Sequence, residues 1–461
     1  MRSLLVLILG LAVTTASCGE AKAESARNTA ATEMSAAERG YQVLTKTSFL
    51  PPDFDQEVFD NLWKVWPSAL RKQAEQATPD ERRRMTFSRY GLIENPEHPG
   101  SGTALGYVDN GNGGWVMNCL SCHGGKVAGK AIPGVPNSHY GLHTLTEDVR
   151  LTKMFQGKKL SHMDLGILKI PLGSTHGTTN AVVFGVALEA LRDLDMNVRF
   201  DQPPPKFVHH DVDAPPFWNV RKKTRLYYDG LAEKSHRPLM QFILIPRNGP
   251  EQLKKWEADF RDILAWIESL EPPKYPWKID ESLAAEGKAV FERSCSRCHG
   301  TYGEKWTYPE RMVDIDVLGT DPVRLTALTD EHRAWFQRSW LGNYNTSDPP
   351  WKATGYIAPP LDGIWASAPY LHNGSVPTLW HLLHPDERPV VWMRTEDGYD
   401  QHKVGLEITT FDEVPGTVRS AGDRRMYFDT RKFGKSAAGH DFPSELTEDE
   451  KQALLEYLKT L

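Results

Sequence analysis

Cysteine and histidine recur in one five-residue pattern at two places, Cys119-Leu120-Ser121-Cys122-His123 and Cys295-Ser296-Arg297-Cys298-His299, which use four of the five cysteines in the chain. In this pattern the two thiols add across the vinyl groups of a haem, and the adjoining imidazole becomes the proximal iron ligand. The repeat predicts two covalently bound haem c groups, attached at Cys119, Cys122, Cys295 and Cys298 and ligated by His123 and His299. The competing reading is a zinc or thiol-redox Cys-x-x-Cys with an incidental histidine. Repetition of all five positions in a cysteine-poor chain argues against it.

A haem whose axial positions are both filled by protein carries electrons, whereas one with an open position can transform a small molecule. The second ligands therefore decide function. Downstream of His299 stand His372, His381, His384, His402, His440, Met393 and Met426. After His123 come His139, His143 and His176, none at a diagnostic spacing. The apolar run AVVFGVAL that follows Asn180 reads either as a helix covering an open distal face or as a buried structural helix.

The elements that must hold these groups come from 461 residues, enough for two domains with sizeable cores. A formal charge of -6 and the absence of a basic tract argue against a nucleic-acid partner. The opening, MRSLLVLILGLAVTTAS, has a basic start, a short apolar run and small residues after it, so residues 1–17 read as a secretory signal. Export to a periplasmic or other extracytoplasmic location agrees with covalent haem, which bacteria attach outside the inner membrane. Cys18 falls at the expected cut and resembles the acylated cysteine of a bacterial lipoprotein, although Thr15 stands where that motif carries leucine. Two outcomes stay open, a lipid anchor through Cys18 or ordinary cleavage, for example after Ala23. Residues 18–38 have the composition of a flexible tether.

The chain is internally duplicated. APPFWNVRKKTRLYYDG, Ala214 to Gly230, matches APPLDGIWASAPYLHNG, Ala358 to Gly374, and DILAWIESL, Asp262 to Leu270, matches ALLEYLKTL, Ala453 to Leu461. The order of haem motif, Pro-rich loop and closing helix occurs twice. The first closing helix carries Leu253, Trp256, Phe260, Ile263, Leu264, Ile267 and Leu270 at three- and four-residue intervals. The last opens on a Thr447–Glu450 capping box and places Leu454, Leu455, Leu458 and Leu461 on one face. Each stripe is expected to pack on its own domain's haem-bearing helix. The prolines of EPPKYPWKID mark a linker. The expected fold is mostly α, with two cytochrome c-type haem domains, 39–272 and 273–461, carrying long inserted loops.

On these motifs, with APYLHNGSVPTL after the second haem motif, GTYGEKWTYPERMVDIDVLGTDP following it, and GHDF near the C-terminus, the chain resembles the bacterial di-haem cytochrome c peroxidase superfamily. That superfamily includes the methylamine-dehydrogenase maturation enzyme and the rubber oxygenases, and GHDF looks closest to the rubber-oxygenase-like branch. The resemblance implies a reactive N-terminal haem and a six-coordinate C-terminal relay haem. For the relay ligand it favours His440 and then His372, because Asp386 stands where the peroxidase branch places a methionine. It implies an acid–base group near Glu233, with His236 as fallback, to move a proton as peroxide splits. Trp218 is set between the haems by the same resemblance, against the plainer reading of packing. Calcium, bound through Ser367, Pro369 and Asp213, is a further implied cofactor. The function expected is peroxide reduction with electrons from a small periplasmic donor, a cytochrome c or a cupredoxin. The alternatives are a haem oxygenase using dioxygen on an apolar substrate, and a pure electron carrier.

Overall fold

The computed structural model describes residues 34–170, 172–201, 206–347 and 351–461. The expected signal segment and Cys18 lie outside the described residues. The first described helix, α1 (Ala36–Lys46), starts on a capping box. Ser35 Oγ accepts from the Glu38 N–H at 3.2 Å, and the Glu38 carboxylate accepts from the Ser35 N–H at 2.8 Å. The tether expected to reach residue 38 therefore ends by Ser35.

Strands β1 (Phe54–Asp55), β2 (Tyr107–Asp109) and β3 (Gly114–Met117) form an antiparallel sheet in the order β1-β3-β2. The central strand delivers the chain into the first haem motif, where Leu120–His123 make the single turn α2. Helices α3 (Leu142–Gln156), α4 (His162–Gly166), α5 (Ala181–Glu189) and α6 (Glu257–Ser269) complete the N-terminal half. In the C-terminal half, α7 (Glu281–Ser294) runs into the second haem motif, whose Ser296–His299 form α8. A hairpin of β4 (Val391–Asp400) and β5 (Gly405–Phe411), with β6 (Tyr427–Asp429) on the other side of β4, precedes the closing helix α9 (Glu448–Leu458). Six small sheets occur among the described residues, so strands as well as helices shape a chain expected to be mostly α.

The two halves close in the same way. α6 packs on α1 and α9 packs on α7, and each pair crosses at a glycine. A Cβ at Gly40 would collide with the carbonyl oxygen of Asp262, and one at Gly287 with that of Ala453. Asp262 and Ala453 are the first residues of the two matched closing segments, so the duplication extends to the contact point. Tyr41 meets Trp266 at 5.4 Å between ring centroids, and Phe291 meets Tyr457 at 5.4 Å. The expectation that both closing helices pack on haem-bearing helices holds for α7 alone. In the N-terminal half residues 47–118 separate α1 from its haem motif, so the helix that α6 covers is not the one carrying His123.

The linker is extended but packed. Trp365 Nε1 donates to Pro273 O at 3.0 Å, Tyr275 meets Trp365 edge-on at 5.3 Å, and Trp277 stacks on Tyr399 at 4.9 Å. No helix among the described residues is long and apolar enough to cross a membrane.

The glycine crossings give a direct test. Gly287→Val is expected to destabilise the chain by about 1–3 kcal/mol through overpacking, read as a lower thermal midpoint by circular dichroism. An unchanged midpoint would mean that the α7–α9 crossing is looser than described.

Candidate haem centres

Each haem-motif histidine is oriented by a prolyl carbonyl. His123 Nδ1 lies 2.9 Å from Pro215 O, and His299 Nδ1 lies 2.8 Å from Pro359 O. These prolines occupy the same place in the two Ala-Pro-Pro repeats. A carbonyl only accepts, so Nδ1–H donates and Nε2 is left with its lone pair for a metal. Burial lowers the His123 pKa to about 4 and lowers that of His299, leaving both imidazoles neutral, the form that ligates iron. Phe217 stacks on His123 at 4.0 Å. None of the four motif cysteines is in a disulfide, so all four are available for thioether attachment. Among the described residues no three His, Cys, Asp or Glu side chains converge as a metal site.

The two Pro-rich loops are bonded to each other. Trp218 Nε1 donates to Asp362 O at 2.6 Å, Asn219 Nδ2 donates to Pro360 O at 3.0 Å, and Lys222 Nζ sits 2.8 Å from Asp362 Oδ1. Trp218 is almost wholly buried and belongs to the apolar core of the C-terminal half although its chain belongs to the N-terminal half. Trp218 thus packs in that core and bonds one Pro-rich loop to the other. At their far ends the loops turn alike. Tyr227 and Leu371 have φ of 69° and 64°, and Gly230 and Gly374 have 65° and 68°. The matched residues Asp229 and Asn373 are both fully buried anchors. Burial alone would raise the Asp229 carboxyl, but Arg324, at 3.0 Å, and Arg333 overcome it and hold the pKa below its ordinary value. Asn373 Nδ2 donates instead to the Gly434 and Ser436 carbonyls.

Of the expected second ligands, His440 faces His299. Their ring centroids are 6.3 Å apart. An iron bonded through one nitrogen of each of two imidazoles, at about 2 Å, sets the ring centroids about 6 Å apart. His440 is half-buried, its Nδ1 has no hydrogen-bond partner among the described residues, and burial lowers its pKa to about 3. Its left-handed backbone, φ 55°, is held by an N–H donated to Leu318 O at 2.8 Å. The His372 ring packs against Tyr356 at 4.4 Å and Tyr228 at 6.1 Å, and it makes no ring contact with His299 among the described residues. His381 bonds Thr378, His384 bonds Glu448, Met393 lies within β4, and Met426 is exposed.

No histidine ring pairs with His123 among the described residues. His139 bonds Thr395 O, His143 bonds Leu172 O and His176 bonds the Thr144 hydroxyl. The apolar run does form a helix, α5. Its half-buried Val182, Phe184 and Val186 pack against the same core as Cys119, and Phe184 also joins Met117, Met163 and Ile167. Glu233 follows Leu231 and Ala232, which belong to the same core. Its side chain is 57% exposed and accepts from Asn345 Nδ2 at 2.9 Å. His236 is tied to Glu257 at 3.2 Å.

The carboxyl that sequence reasoning missed is Glu189, the last residue of α5. It is 7% exposed, its carboxyl makes no hydrogen bond or ion pair among the described residues, and burial raises its pKa to about 8. Its signal was a single glutamate closing an apolar run. Asp213 is also buried, beside Pro369 at Gly374, with Oδ1 unpartnered and its pKa raised well above the ordinary range by burial. Ser367 Oγ bonds Gly363 O.

Residues 355–393, which contain the second Pro-rich loop from Ala358 to Gly374, match a family described as RoxA-like, cytochrome c-like. Two proteins of Sinorhizobium fredii (strain NBRC 101917 / NGR234), both named as uncharacterized, are similar. One, y4iM, is 27% identical over 255 residues, 50% of this chain and 57% of its own. The other, y4iJ, is 32% identical over 258 residues, 42% of this chain and 41% of its own. The chain spans about half the length of these relatives. A cytochrome c-like domain implies covalently bound haem c, and the match points to the rubber-oxygenase branch of the resemblance.

Glu189 gives a pH-dependent prediction. Its carboxyl holds a proton more tightly folded than unfolded, so stability is full below its ordinary pKa of 4.5 and falls as pH rises toward about 8. Glu189→Gln removes that loss. Its stability advantage over the natural chain is expected to grow from nil near pH 4 to the order of a few kcal/mol near pH 8, measured by denaturant melts. An advantage independent of pH would contradict the assignment.

Proposed function

We propose that this chain is an exported di-haem c-type oxidoreductase of the oxygenase kind. In this reading His123 would hold a haem that supplies dioxygen chemistry beside an apolar substrate. His299 and His440 would hold a second haem that serves as an electron relay. The observation that carries this is the asymmetry of the two histidines: His440 stands opposite His299, and no histidine among the described residues stands opposite His123. Haem supplies dioxygen or peroxide chemistry where one axial position is open and single-electron transfer where both are filled.

The chain's own residues do the rest. Pro215 O and Pro359 O hold the two imidazoles in the ligating tautomer. Phe217 and α5 supply apolar surroundings on the N-terminal side, and the exposed Glu233 carboxylate is bonded to Asn345, which favours the oxygenase reading over acid-assisted peroxide heterolysis. A small donor, a cytochrome c or a cupredoxin, would deliver electrons to the second haem. One observation favours peroxide reduction as a second reading: Trp218 joins the loops of both histidines and provides an oxidisable side chain between them.

Oxygen-electrode measurements with a long-chain olefin, and peroxide consumption with a reduced cytochrome, separate these readings. Olefin-dependent oxygen uptake is expected. Peroxide consumption without it would replace the oxygenase reading by the second, and neither activity would overturn both. The ligand assignment is tested by carbon monoxide binding to the reduced chain. One equivalent is expected for the natural chain and two for His440→Ala, and a stoichiometry unchanged by the substitution would remove His440 from the second iron.

A further inference from the structure

We propose that the outer face of α3 and α4 is a membrane-docking surface that seats the protein on an anionic lipid bilayer. α3 turns Leu145, Val149 and Thr152 toward the core, yet it also presents Leu151, Met154 and Phe155, spaced i, i+3, i+4, to solvent. Phe155 is 81% exposed and Met154 62%. Leu165 and Leu168, at and just beyond α4, are 54% and 64% exposed, and Leu160, between α3 and α4 in the sequence, is 37% exposed. Scattered surface leucines are ordinary, but an apolar strip across two packed neighbours marks an interaction surface.

The strip is held in place rather than loose. Lys153, facing inward between the exposed residues, is buried, and its Nζ lies 2.5 Å from Asp164 Oδ2 of α4. The same ammonium also donates to the Asp53 carbonyl oxygen. This buried ion pair staples α3 to α4 and fixes the outward direction of their apolar residues.

The rim chooses the partner. Lys158 is paired with Asp55 and Glu57. Arg150, Lys159 and Lys169 have no acidic group within ion-pair distance among the described residues. In a chain of net charge -6, three unpaired cations around a strip of Met, Phe and Leu complement anionic headgroups above acyl chains. Stable membrane attachment takes two signals, and this face would be a second signal beside an anchor at Cys18. The proposal does not depend on the haem chemistry.

The test uses the mature haem-loaded chain carrying Cys18→Ser, so that no acyl group contributes, and co-sedimentation with phosphatidylglycerol–phosphatidylethanolamine vesicles. Binding is expected, falling at least about tenfold in Phe155→Asp/Leu168→Asp and becoming insensitive to salt in Lys159→Glu/Lys169→Glu. Unchanged circular dichroism and haem absorption would show that both variants fold. The proposal is overturned if the parent chain stays in the supernatant or if both variants sediment as well as the parent. A dimer in solution dispersed by Phe155→Asp, without vesicle binding, would also overturn it by identifying a protein–protein surface.

Discussion

Two hydrogen bonds, from the Nδ1–H of His123 to Pro215 O and from that of His299 to Pro359 O, are the constraint around which the rest of the chain is arranged. A carbonyl cannot be reoriented by a rotamer change, so each imidazole is only as well placed as the loop that carries its proline. The loops in turn hold each other. Asn219, four residues after Pro215, donates to Pro360, the neighbour of Pro359, and Trp218 donates to Asp362. One continuous path therefore links the two haem-motif histidines through proline carbonyls and a side-chain amide. The turns at Tyr227 and Leu371, the buried anchors Asp229 and Asn373, and the glycine crossings at Gly40 and Gly287 repeat the same device in both halves.

Duplicated scaffolding does not make duplicated sites. Beyond its Pro-rich loop the C-terminal half adds the β4–β5 hairpin and a segment that turns at His440, whose positive φ directs its ring toward His299. The N-terminal half instead inserts α3, α4 and α5 after its haem motif and offers apolar side chains there. Equal proximal bonding with unequal distal surroundings is how one duplicated unit can serve as relay and the other as reactive centre.

Much of this was legible in the sequence because it depends on local chemistry. The two Cys-x-x-Cys-His motifs, the Ala-Pro-Pro repeats, the capping box at Thr447 and the apolar stripe of α6 are each written within a few residues. What was not legible depends on long-range placement. Glu233 and Glu189 are both glutamates near apolar residues, and only the fold exposes the first and buries the second. His372 sits in a motif that invites a ligand role, yet Tyr356 and Tyr228 occupy its surroundings. The partner of α6 was misread because the insertion of residues 47–118 moved the haem motif away from α1, a change that no local pattern records.

The central claim is that one iron is doubly ligated by histidine and the other keeps an open face. Low-temperature electron paramagnetic resonance of the purified, oxidised, haem-loaded protein tests it most directly. One low-spin signal of bis-histidine character together with one high-spin or water-ligated signal of equal intensity is the expected result. Two low-spin signals, unaltered by added small ligands, would contradict the account and make both centres electron carriers.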